Sequence, residues 1–179
     1  MARVNQIFTV VVATDLVIDG SNNKKVTSST HTFVAGDVGK YIVVTAGTGF
    51  TVAANPIASV TGGAAIGTNS FGTLGSTGGT FSIPQRLAST QTLGDRLFIQ
   101  MKTNGSGLGY VLYSDSGAIP PSKANDADVV AELALATSTA PGGTYSDVQP
   151  GGGNFMDMSA YWVDGAVNGD KIRASYNVR

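Results

Sequence analysis

Near its C-terminus the chain alternates with a period of two. Ile172, Ala174, Tyr176 and Val178 are interleaved with Lys171, Arg173, Ser175 and Asn177. In a strand, successive side chains point to opposite faces, so this spacing predicts a strand with one packed face and one wet face. Shorter apolar runs recur upstream. Phe8 to Val12 is β-branched and predicts a strand, and Leu16-Val17-Ile18 runs into the dense turn signal Asp19-Gly20-Ser21-Asn22-Asn23. The Thr/Ser-rich stretch from Lys24 to Phe33 suits a returning, half-exposed strand. Gly36 to Lys40 is a turn, Tyr41 to Thr45 a strand, and Gly47-Thr48-Gly49 a further turn. Ile57 to Val60 and Ala64 to Gly67 flank Gly62-Gly63, which predicts a tight hairpin. Thr80 to Ile83 ends this half before Pro84.

Gln85 to Asp95 is polar and reads as a linker. Leu97 to Lys102 and Tyr110 to Ser114 flank Thr103 to Gly107, and are expected to pair as a hairpin. Pro120-Pro121 interrupts the pattern. Asp126 to Thr137 is the one helix candidate, capped by Asn125 or Asp126, with Val129, Val130 and Leu133 on one face. A strand over Glu132 to Ala136 competes with it. Pro141 to Asn154 reads as loop, and Tyr161-Trp162-Val163 as a strand. Short strands with turns every ten residues or so define an all-β protein: antiparallel strands in a β-sandwich, jelly roll or small barrel. The expected division is an N-terminal strand or docking arm over 1–13, a β module over 14–88 and a second over 89–179, the last two also being readable as one continuous domain.

Composition supports that class. Eleven of the twelve acidic residues are Asp, the exception being Glu132, and there are 24 Gly. Asp and Gly favour turns, whereas Glu favours helices. Charged residues are 13% of the chain and net charge is −1. That balance argues against a phosphate-backbone partner, so no nucleic acid is expected. From Tyr41 to Gln85 there is no charged residue at all. The stretch is either a neutral β surface or a protein-facing one, since interface cores are depleted in charge. No apolar run is long enough to form a membrane-crossing helix, and Met1 to Val12 lacks the features of a signal peptide.

The residues that could carry chemistry are few. Cysteine is absent and His31 is the single histidine. His31 with Asp37 could serve a Ser-His-Asp triad, but no Gly-x-Ser-x-Gly elbow accompanies them. Zinc lacks nitrogen and sulfur ligands. Asp126-x-Asp128 and Asp164 to Asp170 offer oxygens to calcium without an EF-hand's spacing. Gly36-x-x-Gly39-Lys40 is too short for a phosphate loop, with Tyr41 where Ser or Thr should stand. Gly105-x-Gly107-x-Gly109 precedes a strand rather than a helix. Asn104-Gly105-Ser106 matches the glycosylation pattern. Tyr145, Phe155, Tyr161, Trp162 and Tyr176 could bind a sugar or form a core under a sheet. No catalytic, cofactor or metal site is assigned, and the chain reads as no enzyme.

Residues 12–83 carry an ordered series of words: Asp15-Leu16-Val17-Ile18-Asp19, Val26-Thr27-Ser28, Phe33-Val34-Ala35-Gly36-Asp37-Val38-Gly39-Lys40-Tyr41-Ile42, Gly47-Thr48-Gly49-Phe50-Thr51, Ile57-Ala58-Ser59-Val60, Gly62-Gly63-Ala64-Ala65 and Gly72-Thr73-Leu74-Gly75-Ser76-Thr77-Gly78-Gly79-Thr80. In this the chain resembles bacteriophage virion structural proteins, most of all capsid decoration (cement) proteins. It departs from their pattern at Ala53-Ala54-Asn55-Pro56, where a Gly and an aromatic are expected. The resemblance implies a subunit on the capsid exterior, made in the host bacterial cytoplasm. It would bind the major capsid protein as a homotrimer and stabilise the shell. A tail fibre, baseplate or adaptor protein that binds host glycans is the alternative.

Overall fold

A computed structural model describes residues 2–102, 107–114, 120–121, 123, 128–134, 142–148 and 155–178. It is all-β and antiparallel, and it divides into two compact units. One unit is Val11–Pro84; the other joins Met1–Val10 to Gln85–Arg179. The first is therefore an insertion into the second.

The insertion is a closed six-strand barrel. Its strands are β2 (Val12–Ile18), β3 (Lys25–Thr27), β4 (Tyr41–Ala46), β5 (Ala54–Thr61), β6 (Ala64–Gly67) and β7 (Thr77–Ser82), in the cyclic order β2-β3-β6-β5-β4-β7. Gly62 and Gly63 both take positive φ, +58° and +80°, and make the expected two-residue hairpin between β5 and β6. In the ring, β3 stands opposite β4 and β6 opposite β7. The two long connections, 28–40 and 68–76, must each therefore cross a barrel mouth. Each carries one buried phenylalanine, Phe33 in the first and Phe71 in the second, and both join the core of Leu16, Ile18, Ile42, Ile57 and Phe81. Burying two aromatic rings makes up for the small radius of a six-strand ring, whose short strands alone present few inward side chains.

The sequence suggests a longer strand after Lys24 than the three residues that form. Asp15 on β2 is the reason. Its carboxylate accepts the Ser28, Ser29 and Thr30 hydroxyls at 2.6, 2.5 and 2.9 Å and the Ser29 and Thr30 N–H groups at 2.9 and 2.8 Å. These local bonds replace ladder bonds and turn the chain toward the mouth.

The second unit holds two sheets. Its strands are β1 (Ala2–Thr9), β8 (Gln85–Arg86), β9 (Leu93–Met101), β10 (Gly109–Tyr113), β11 (Val129–Leu133), β12 (Thr144–Val148), β13 (Met156–Asp157), β14 (Tyr161–Gly165) and β15 (Lys171–Val178). One sheet runs β1-β15-β9-β12 with β13 also on β9, and the other runs β11-β10-β14-β8. They pack face to face. A Cβ on Gly109 of β10 would come within 2.4 Å of Met101 Sδ on β9, and the Tyr176 hydroxyl of β15 donates to the Leu87 carbonyl at 3.0 Å. Ile172, Ala174 and Tyr176 are buried while Lys171 and Arg173 are exposed, as the period of two requires; Ser175, expected on the wet face, is buried as well.

Several expectations are corrected here. β9 and β10 do not form a hairpin; each belongs to a different sheet. Residues 129–133, expected in a helix, are a strand paired with Gly109 to Leu112; β-branched Val129 and Val130 suit a pleated surface. The rest of the Asp126 to Thr137 segment lies outside the described residues, apart from Asp128 and Ala134. The loop expected over Pro141 to Asn154 contains β12, and the linker over Gln85 to Asp95 contains β8 and the buried Leu87. The run Phe8 to Val12 is not one strand. Val10 exchanges backbone bonds with Gly169 and Asp170, while the Val11 carbonyl accepts from Ile83 N–H, so the units part between Val10 and Val11. No glycine or proline marks that point, which is why a boundary at 13/14 looks natural in the sequence. Residues 2–9 form the edge strand of a sheet, paired along β15.

Candidate functional site

His31 and Asp37 do come together. His31 Nε2 lies 3.2 Å from Asp37 Oδ2, which also accepts the Val34 N–H at 3.1 Å, and Lys40 Nζ pairs with Oδ1 at 2.9 Å. Asp37 is 4% exposed. Burial pushes its carboxyl up. The bonds from Lys40 and Val34, the Lys40 charge and His31 outweigh that and hold it below the usual aspartate value. The hydroxyls that precede His31 are engaged elsewhere: those of Ser28, Ser29 and Thr30 all donate to the Asp15 carboxylate. The cluster fastens the connection that crosses the mouth beside Phe33, whose ring meets His31 edge-on at 5.0 Å. Lys40, the lysine of the phosphate-loop-like words, is spent in that pairing.

The calcium reading separates. Asp164 pairs with Lys123 at 3.3 Å and accepts its neighbour's Gly165 N–H at 2.8 Å, whereas Asp170 accepts Gly107 N–H at 2.7 Å. Among the described residues no three His, Asp or Glu side chains converge. Asp126 and the Asn104-Gly105-Ser106 pattern lie outside the described residues.

The C-terminal aromatics divide between core and surface. Trp162 is 3% exposed, beneath the Arg86 guanidinium at 5.5 Å, and Tyr176 is buried. Tyr161 and Tyr145 hydroxyls approach Asp147 Oδ2 at 3.3 and 3.4 Å. Burial, then the neighbouring Tyr145 hydroxyl and Asp147 carboxylate, push the Tyr161 phenol up. Tyr113 meets Tyr161 edge-on at 5.2 Å and is itself partly exposed. Tyr113 therefore gives the cluster a surface component that the sequence reading overlooked.

The uncharged stretch supplies β4 to β7. Inward it is the barrel core; outward it shows Thr, Ser, Ala and Gly together with the half-buried Tyr41, Pro56 and Ile66. At the barrel end opposite the chain's entry and exit, the loops 47–53 and 68–76 are tied together. Phe50 bridges Gly72, Thr51 N–H donates to the Phe71 carbonyl at 2.8 Å, and Thr73 N–H to Gly49 at 2.8 Å. Both loops are neutral, and Val52 and Leu74 project from them, 65% and 50% exposed. The neighbouring hairpin carries charge, but Asp19 and Lys25 pair at 2.9 Å.

No helix among the described residues is long and apolar enough to cross a membrane. No protein-family model and no curated protein matches the chain.

Proposed function

We propose that this chain is a non-enzymatic bacteriophage virion protein, a capsid decoration (cement) protein that binds the major capsid protein on the outside of the head as a homotrimer. The observation that carries the reading is a coincidence of boundaries. The resemblance to phage structural proteins spans residues 12–83, and the barrel is Val11–Pro84. The words therefore describe one whole folded module, not scattered strands. The neutral loops 47–53 and 68–76 support an assembly role, because Val52 and Leu74 offer apolar contact with no charge to desolvate on their own loops.

The test is stoichiometry in purified particles. A copy number near that of the major capsid protein is expected, and a handful of copies per particle would refute the shell assignment. Val52→Asp with Leu74→Asp should lower occupancy on the shell while leaving the melting temperature of the free protein unchanged.

Tyr113, exposed beside Tyr161 and Asp147, favours one alternative: a tail fibre, baseplate or adaptor protein gripping host glycans through this cluster. Loss of glycan binding in Tyr113→Ala would favour it. Trp162→Ala is a poor probe, since that ring is buried and its loss acts on folding.

A further inference from the structure

We propose that the outward face of the sheet β1-β15-β9-β12 is a docking face for an acidic segment of a partner protein. Cations elsewhere in the molecule are mostly engaged: Lys25, Lys40 and Lys123 sit in ion pairs, and Arg86 donates to the Ser159 carbonyl. Arg3, Arg96, Lys102, Lys171 and Arg173 have no ion pair among the described residues. The fold gathers these five. Arg3 opposes Asn177, Ile7 opposes Arg173 and Thr9 opposes Lys171 across β1 and β15; Arg173 opposes Gln100 and Ser175 opposes Phe98 across β15 and β9. Directly opposed residues share a face, and Arg96 shares the parity of Phe98 and Gln100. Lys102 follows β9 and donates its N–H to the Lys171 carbonyl. Among the described residues no acid occupies the register positions of this face; Asp95 borders it, 3.4 Å from the Asn177 amide.

A protein carrying net charge −1 has thus concentrated unpaired positive charge on one sheet face. Unpaired cations at this density repel one another and are relieved by an anionic partner. The details favour carboxylates on a protein. Arg3 and Arg96 flank a shallow cavity of about 320 Å³ that also meets Phe98, Ser146 and Ser175, with room for a side chain. Guanidinium groups grip a carboxylate through two parallel bonds. Ile7 and Phe98, 59% and 36% exposed, provide apolar contact between the charges. Phe98 is the only aromatic at the face's described register positions, whereas single-stranded nucleic acid is bound by stacking successive bases on several rings. The inference does not depend on the virion reading.

A fluorescein-labelled decamer of L-glutamate, titrated with the whole protein and followed by anisotropy, tests it. Saturable binding is expected, weakening roughly tenfold or more between about 50 and about 300 mM salt as screening shortens. Arg3→Glu with Arg96→Glu should weaken binding by at least about tenfold, and Lys171→Glu with Arg173→Glu similarly. Lys24→Glu, on the barrel's charged hairpin, should leave it unchanged. Unaltered melting temperatures establish that each variant is folded; should one pair fail to fold, the other pair decides. No binding at low salt, or binding that survives charge reversal, overturns the proposal. Equal or tighter binding of a fifteen-nucleotide oligothymidylate overturns it in favour of a nucleic-acid face.

Discussion

Asn55 is a polar residue inside the barrel, 4% exposed, and both ends of its amide are bonded. Its Nδ2 donates to the Asn69 carbonyl at 2.7 Å and its Oδ1 accepts the Asn69 N–H at 3.1 Å. These bonds fix the second crossing loop two residues before Phe71. Asn55→Leu removes both and leaves the Asn69 backbone unsatisfied, so a loss of about 1–3 kcal/mol in urea unfolding is expected. The sequence flags this site only as a departure: Asn stands where the resembled pattern has other residues. Asp37 differs, because its pairing with His31 could be guessed from their spacing, while its bonds to Lys40 and Val34 could not. Its carboxyl is held below 3.8, so its contribution is complete above that value and fades as pH falls through the depressed one. Asp37→Asn should therefore cost about 1–3 kcal/mol at neutral pH. The gap from the native protein should narrow as both are titrated below 3.8 and through that depressed value.

At the level of elements, legibility follows from whether the determining contacts are local. β15, β4 and the Gly62-Gly63 hairpin declare themselves through alternation and turn residues, which act within a few positions. β9 and β10 look like a hairpin because a Gly-rich segment separates them, yet β9 pairs with β15 and β12 while β10 pairs with β14 and β11, all of them later in the chain. Local sequence does not report which layer a strand joins. The crossing loops are intermediate cases: their Gly, Ser and Thr content says loop, but the two phenylalanines say core. Phe71→Ala should cost about 3–5 kcal/mol, the usual loss for a buried aromatic. Gly67→Ala meets the same ring from outside, since a Cβ there would lie 2.7 Å from Phe71 Cε2 and 2.6 Å from Asn55 Oδ1. It should destabilise by about 1–3 kcal/mol through overpacking. In the double variant, removal of the ring makes room for the new methyl, so the combined loss should fall short of the sum of the two, a difference that a double-mutant cycle in denaturant would measure.

For the molecule as a whole, the consequence of the insertion is that the barrel's ends are neighbours. Val12 is paired with Ser82, Ala13 with Phe81, and Ile83 N–H donates to the Val11 carbonyl at 3.0 Å. A module whose entry and exit strands pair needs nothing further to close it. Residues 11–84 expressed alone should therefore fold cooperatively, with stability on the order of 5 kcal/mol for a unit of this length. A fragment cut at the boundaries natural to the sequence, 14–88, loses Val11, Val12 and Ala13. With them go the rungs that join β2 to the end of β7, which leaves only the Leu16–Gly79 and Val17–Thr77 rungs to hold the seam and exposes Phe81 and Ile83. It should melt at least about 10 °C lower or fail to show a cooperative transition, since a loss of 1 kcal/mol lowers the midpoint of so small a domain by about 4–8 °C. Circular dichroism melts of the two fragments side by side make the comparison. Equal stability would mean that the β2–β7 seam contributes little, and that the barrel closes through its crossing loops instead.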